Sequence, residues 1–171
     1  MRILPDPEKA EVVYGPENII RREAAAFPDV ARKMDGCYDY SGPSALVTTE
    51  PIWNATKDLA RRGIRVRFIT DITNENISYC KQLLEYVELR HLNGDKGNFG
   101  IADGIDCVIH SVLQEEQTPI QAIFTNVKSF VEAQQYLFDT LWSRAIPAEQ
   151  RFREIEEGIK PDFIETIRDP R

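Results

Sequence analysis

The 171-residue chain is poor in the groups that hold metals and redox centres, with three cysteines and two histidines. Cys37, Cys80 and Cys107 stand far apart, with no CxxC pair and no histidine at zinc spacing. Neither a metal site nor a disulfide framework is therefore expected, and the thiols read as buried and reduced, as in a cytoplasmic protein. No stretch approaches the roughly eighteen apolar residues of a membrane span. The N-terminus MRILPDPEKAEVVYG also lacks the apolar run of a signal peptide. Positive charge is short as well: 21 Lys and Arg stand against 28 Asp and Glu, a net charge of −7. A protein that neutralises phosphates over a broad surface is usually basic, so neither nucleic acid nor membrane is an expected partner. Walker, GxGxxG, GxSxG and HExxH motifs are all missing, and no cofactor is expected.

What is present is a globular mix, 42% apolar and 29% charged, long enough for one domain. Residues Met1 to Gly15, with Pro5 and Pro7, read as a lead-in. From Glu17 a helical period runs through Ile19, Ile20, Ala24, Phe27, Val30 and Met34, with a kink at Pro28. CYDYS reads as a strand, and a helix follows from Pro51 to a stop at Gly63. Ile64 to Thr70 alternates, with Val66 and Phe68 on one face and Arg65 and Arg67 on a polar one, where Arg67 stays open between a solvated position and an anion contact. A helix through Ile77, Cys80 and Leu83 leads to a strand ending at His91. The turn NGDKGN follows, then a hairpin closed at Asp103-Gly104 and a strand from Pro119 to Thr125.

The tail carries a long apolar stripe, Val127, Phe130, Val131, Leu137, Phe138, Leu141 and Trp142, on a helix that Pro147 breaks. A charged helix then runs to Gly158, and an apolar pattern restarts at Phe163 with no obvious partner, as at the cut end of something longer. The expected class is α/β, a mixed sheet flanked by helices, with a long C-terminal helical extension. The expected division is a lead-in over residues 1–15, a domain over 16–146 and a helical connector over 147–171.

Candidate binding groups cluster around RHLNGDKGNFGIADG, a glycine-rich turn whose backbone N–H groups suit an anion or a polar small molecule. Arg67, Thr70, Arg90, His91, Lys96, Asn98 and Asp103 are expected to converge near the C-terminal strand ends. His110, inside VIHSV, reads as a packed or edge-strand histidine.

These segments carry a resemblance. GIRVRFITDIT, the helix after it and YVELRHLNGDKGNFGIADG resemble the phospholipase-D-like effector domain of archaeal TrmB-type regulators. Together with the tail NVKSFVEAQQYLFDTLWSRAIPAEQRFREIEEG they resemble more closely the N-terminal sensory domain of archaeal, especially thaumarchaeal, histidine kinases. The resemblance runs from about Tyr14 to Arg171. The phospholipase D signature is His-x-Lys-x-x-x-x-Asp, in which the histidine is the nucleophile. Laid on this chain, the aspartate falls on Asp103, the lysine on Asn98 and the histidine on Lys96, while His91 lies out of register.

The resemblance therefore implies a chain that is not an enzyme: a sensory domain that binds a small ligand or a protein partner and signals through its C-terminal helices to a kinase module in cis. The alternatives are the effector domain of a transcription regulator and a degenerate phosphodiesterase or nuclease. By the same analogy, Leu141, Trp142, Phe152, Ile155 and Ile159 are expected to form a stripe in a weak homodimer.

Overall fold

The computed structural model describes residues 6–112 and 119–158. Its centre is an eight-stranded mixed sheet in the order β1-β7-β6-β5-β2-β3-β4-β8. The strands are β1 (Ala10–Tyr14), β2 (Lys33–Tyr38), β3 (Arg65–Thr70), β4 (Glu88–His91), β5 (Asn98–Ala102), β6 (Asp106–Val112), β7 (Pro119–Thr125) and the short β8 (Ile146–Pro147). β2, β3 and β4 run parallel, and the other pairings are antiparallel. The helices are α1 (Pro16–Ala26), α2 (Gly42–Thr48), α3 (Glu50–Arg61), α4 (Ile77–Leu84), α5 (Lys128–Arg144) and α6 (Ala148–Glu156).

The sheet separates two apolar clusters. On one face Ile52 and Leu59 of α3, Cys80 and Leu83 of α4, and Ala148 and Phe152 of α6 close over Val66 and Phe68. On the other, Val131 and Phe138 of α5 close over Cys37, Ile69, Phe99 and Ile101. The period-two alternation of β3 serves both at once.

Several expectations change. The lead-in contributes β1, an edge strand paired with β7. The first helix stops at Ala26, because Pro28 brings no N–H to continue it and a 3-10 turn follows. Met34 then belongs to β2, not to a helix. At Arg67 the polar face of β3 is covered by α5. Arg67 meets Asp35 in two bonds of 2.7 and 2.8 Å, and its guanidinium lies over the rings of Phe138 and Trp142.

The stripe expected in a homodimer is largely used inside the chain. Trp142 stacks on Phe138 and carries the Arg90 guanidinium 4.2 Å above its ring. Phe152 is 8% exposed within the core, and Ile155 packs beside it. The buried Arg151 ties α6 down by donating to the Ile72 carbonyl. Phe152 is thus withdrawn from any partner helix, because α4 and β4 offer it an apolar seat in its own chain. Ile159 lies outside the described residues. Among those residues, no helix is long and apolar enough to cross a membrane.

Candidate functional site

The parallel strands end at one edge of the sheet, where part of the expected cluster gathers. Thr70, at the end of β3, is buried and donates to the Asp39 carbonyl. Asn98, at the start of β5, donates from Nδ2 to Asp39 Oδ2 at 2.9 Å, and Ser41 donates its hydroxyl to Oδ1. His91, at the end of β4, is buried, and its Nδ1 accepts the Ile72 N–H at 2.9 Å. Burial pushes this imidazole down to about 4 against the opposing pull of Asp71, so it is neutral near pH 7 and fixed in place. Lys96 is exposed in the turn.

The glycine-rich turn is not an open anion cradle. Gly94 N–H is bonded to Asp71 Oδ2 at 3.0 Å and Gly97 N–H to Asp95 Oδ1 at 2.9 Å. Two of its donors are already taken by the protein's own carboxylates. The Cys37 thiol donates to Asp95 Oδ2, and a Cβ at Gly97 would come within 2.5 Å of Cys37 Sγ. The glycine is there for that close approach.

The remaining expected residues lie elsewhere. Asp103 sits at the far end of β5, with φ 55°, and accepts the backbone N–H groups of Ala31, Arg32 and Lys33. The length of β5 separates it from Asn98, which opens that five-residue strand. Arg67 is in the Asp35 pair under α5. Arg90 points to the same face and donates to the Trp142 carbonyl at 2.8 Å. The seven residues therefore share no single concavity: Thr70, His91, Lys96 and Asn98 mark one edge, and the other three hold elements together.

A cavity of about 310 Å³ opens on the opposite face from α5. Ile19, Ile20 and Glu23 of α1 and Phe27 form one wall, and Ser44, Ala45, Leu46 and Thr48 of α2 form another. Ile52 of α3 closes the apolar end, and Tyr38, Phe68, Asn98 and His110 make the floor. Ser41 also lines it and, like Asn98, donates to the Asp39 carboxylate. A wider groove of about 770 Å³ under α1 shares Glu23, Phe27 and Tyr38 with it.

The floor depends on Gly36. A Cβ there would meet the Tyr38 ring at 2.6 Å and the Phe68 ring at 2.9 Å, so glycine lets the phenol lie flat across the sheet. Tyr38 then meets Phe68 edge to face at 5.3 Å. Burial, with the charge of nearby Glu23, pushes the Tyr38 hydroxyl well above its usual range, so it is a neutral donor and acceptor. His110 Nε2 lies 2.5 Å from Glu23 Oε1, tying β6 to α1. His110 is the imidazole that lines this space.

Glu23, Tyr38 and Ser41 are absent from the expected set, and His110 is set aside there as a packing residue. Two signals point to them in retrospect. Glu23 follows Ile19 by four residues, which puts a carboxylate on the apolar face of α1. Gly36, two residues before Tyr38, leaves the strand position beneath an aromatic ring empty.

No protein-family model matches the chain. No curated protein matches it either. Solved structures do. The chain superposes on NucT from Helicobacter pylori with a TM-score of 0.66 at 14% identity, covering 82% of this chain and 99% of that one. Nuc from Salmonella typhimurium, a phospholipase D family member, gives 0.67 at 14% identity, with 82% and 98% covered. TrmBL2, an archaeal chromatin protein with a novel mode of DNA binding, gives 0.59 at 17% identity over 82% of this chain, which spans about half (53%) of TrmBL2. The expectation that the chain is not an enzyme is corrected by these likenesses: Nuc belongs to an enzyme family, so this architecture is one that carries catalysis. At such identities the likeness concerns architecture alone, and there all three agree: the chain has the phospholipase-D-like fold.

Proposed function

We propose that the chain is the input domain of a signal-transduction histidine kinase and that its ligand site is the cavity between α1, α2 and the sheet. The observation that carries this is the cavity itself. Its 310 Å³ lies at the lower end of the roughly 300–1,000 Å³ of small-molecule sites, and it joins an apolar body to a few convergent polar groups. Those groups are Glu23, Tyr38, Asn98 and His110.

A route to the C-terminus supports the signalling half. α2, a wall of the cavity, packs on α4, and α4 packs on α6. A ligand that favours one placement of α2 would bias α6 by its differential affinity for the two placements, typically about 1–3 kcal/mol. The kinase host rests on the resemblance of the strand–turn–strand and tail segments. The effector domain of a transcription regulator would use the same cavity with a different neighbour in the gene product.

The test begins with thermal-shift screening of small molecules against the wild type and Ala45→Phe, which fills the cavity from α2. Ligands that raise the wild-type melting temperature and not that of the filled variant support the site. Ligands that shift both equally overturn it. The whole gene product is then assayed for autophosphorylation from ATP. A ligand response that Ala45→Phe abolishes supports the kinase host, and the absence of autophosphorylation overturns it.

A further inference from the structure

The ionisable groups around the cavity give its ligand a sign, an inference that rests on the cavity being the ligand site. Besides the phenol of Tyr38, Glu23 and His110 are the ionisable side chains lining it, and neither lysine nor arginine is among the lining residues. Glu23 spends one oxygen, Oε1, on His110. Among the described residues its other oxygen, Oε2, has no hydrogen-bond partner. Nor is any side-chain nitrogen or oxygen there both sealed from solvent and unpartnered. Oε2 is therefore reachable, an acceptor still waiting for a donor. Arg22, the neighbouring cation on α1, is engaged elsewhere, with Glu11 and over the Phe124 ring.

Around this carboxylate the walls are aromatic and aliphatic. Phe27, Tyr38 and Phe68 bring aromatic rings, whose π-systems attract a cation, and Ile19 and Ile52 add an apolar lining. A carboxylate beside aromatic rings in a half-enclosed space favours an ammonium group, whose donors match Oε2 and the Tyr38 hydroxyl. An anionic ligand would meet the Glu23 carboxylate, with neither lysine nor arginine among the lining residues to offset it.

We propose that the cavity takes a small organic amine in its ammonium form, the nitrogen at Glu23 and Tyr38 and an apolar body toward Ile52 and Phe68.

The probes are n-hexylamine, 1-hexanol and hexanoate, titrated by NMR at pH 7 and constant ionic strength. Hexylamine is expected to bind at least about tenfold more tightly than hexanol, and hexanoate most weakly, as a charge-assisted bond to a carboxylate requires. Glu23→Gln should bring hexylamine to the level of hexanol and leave hexanol unchanged, while Ala45→Phe should abolish binding of all three. If Glu23→Gln does not fold, His110→Asn replaces it: this variant keeps the carboxylate and must keep the amine preference. Hexanoate binding as tightly as hexylamine overturns the inference, as does an amine preference that survives in folded Glu23→Gln or disappears in His110→Asn. Equal binding of hexanol and hexylamine, lost in Ala45→Phe, overturns the amine inference alone and leaves the cavity standing. Binding of none of the three, or binding unaffected by Ala45→Phe, overturns both.

Discussion

Arg67→Met separates a residue that holds the fold from one that waits for a ligand. In the native chain Arg67 donates Nε to Asp35 Oδ1 at 2.7 Å and Nη2 to Oδ2 at 2.8 Å, and Asp35 has no exposed surface. Burial by itself pushes the Asp35 carboxyl up. The hydrogen bonds from Arg67 and Gln135, with the charges of Arg67 and Lys33, outweigh it and hold the group below the usual carboxylate range. Methionine keeps the aliphatic packing on Phe138 and Trp142 but leaves a buried carboxylate with Gln135 and a half-buried Lys33. Removing one partner of such a pair costs about 3–5 kcal/mol, a large part of the roughly 5–15 kcal/mol that keeps a domain folded. With a urea slope of about 2 kcal/mol per molar, the midpoint at pH 7 should fall by about 2 M. The double variant Asp35→Leu/Arg67→Met should recover most of the loss, since the fully buried carboxylate is gone.

The pH dependence has a definite sign. In the wild type the Asp35 carboxyl is depressed, so its contribution is present above the unfolded value near 4 and is lost as pH falls through the folded one. In Arg67→Met burial dominates and the folded carboxyl rises above its unfolded value. The penalty then shrinks as pH drops from 7 toward 4, and the two unfolding curves converge. A loss below about 1 kcal/mol at pH 7, or a gap that widens on acidification, would refute the reasoning.

His91 should make its own acid signature: with its pKa lowered from 6.5 to about 4, stability is lost as pH falls across that window, by about 3 kcal/mol in total. Urea unfolding at stepped pH should show this slope in the wild type and a flatter one in His91→Gln; equal slopes would contradict it. Phe152→Ala should destabilise by about 3–5 kcal/mol, because α6 belongs to the core, and a change below about 1 kcal/mol by denaturant unfolding would mean that α6 is a detached connector. Asp103→Ala removes three hydrogen bonds that backbone N–H groups donate to a carboxylate and should cost about 2 kcal/mol or more, with hexylamine affinity unchanged in the NMR titration.

Local pattern makes much of the architecture legible. Ile64 to Thr70 can be read as a strand from its alternation, and Asp103-Gly104 as a hairpin turn because both residues take positive φ. Other features depend on distant partners. Whether Arg67 faces water or protein is decided by α5, whose Phe138 and Trp142 lie some seventy positions further along the chain. Phe152 reads as a narrow exposed stripe until α4 supplies its seat. α2 escapes because seven residues opening with Gly42-Pro43 carry too little periodicity. The edge residues Thr70, His91 and Asn98 are legible from topology, since parallel strands end together. The cavity is not: Glu23, Tyr38, Ala45 and His110 come from four elements, and nothing local in any one of them marks the others.

Ligand entry under α1 and α2, rather than at the glycine-rich turn, is tested most directly by amide chemical-shift mapping during a hexylamine titration. The predicted result is saturable movement of the Glu23, Tyr38, Ala45 and His110 resonances, with Gly94 to Gly97 still. Movement confined to Gly94, Lys96 and Gly97, with the cavity residues unchanged, would contradict it.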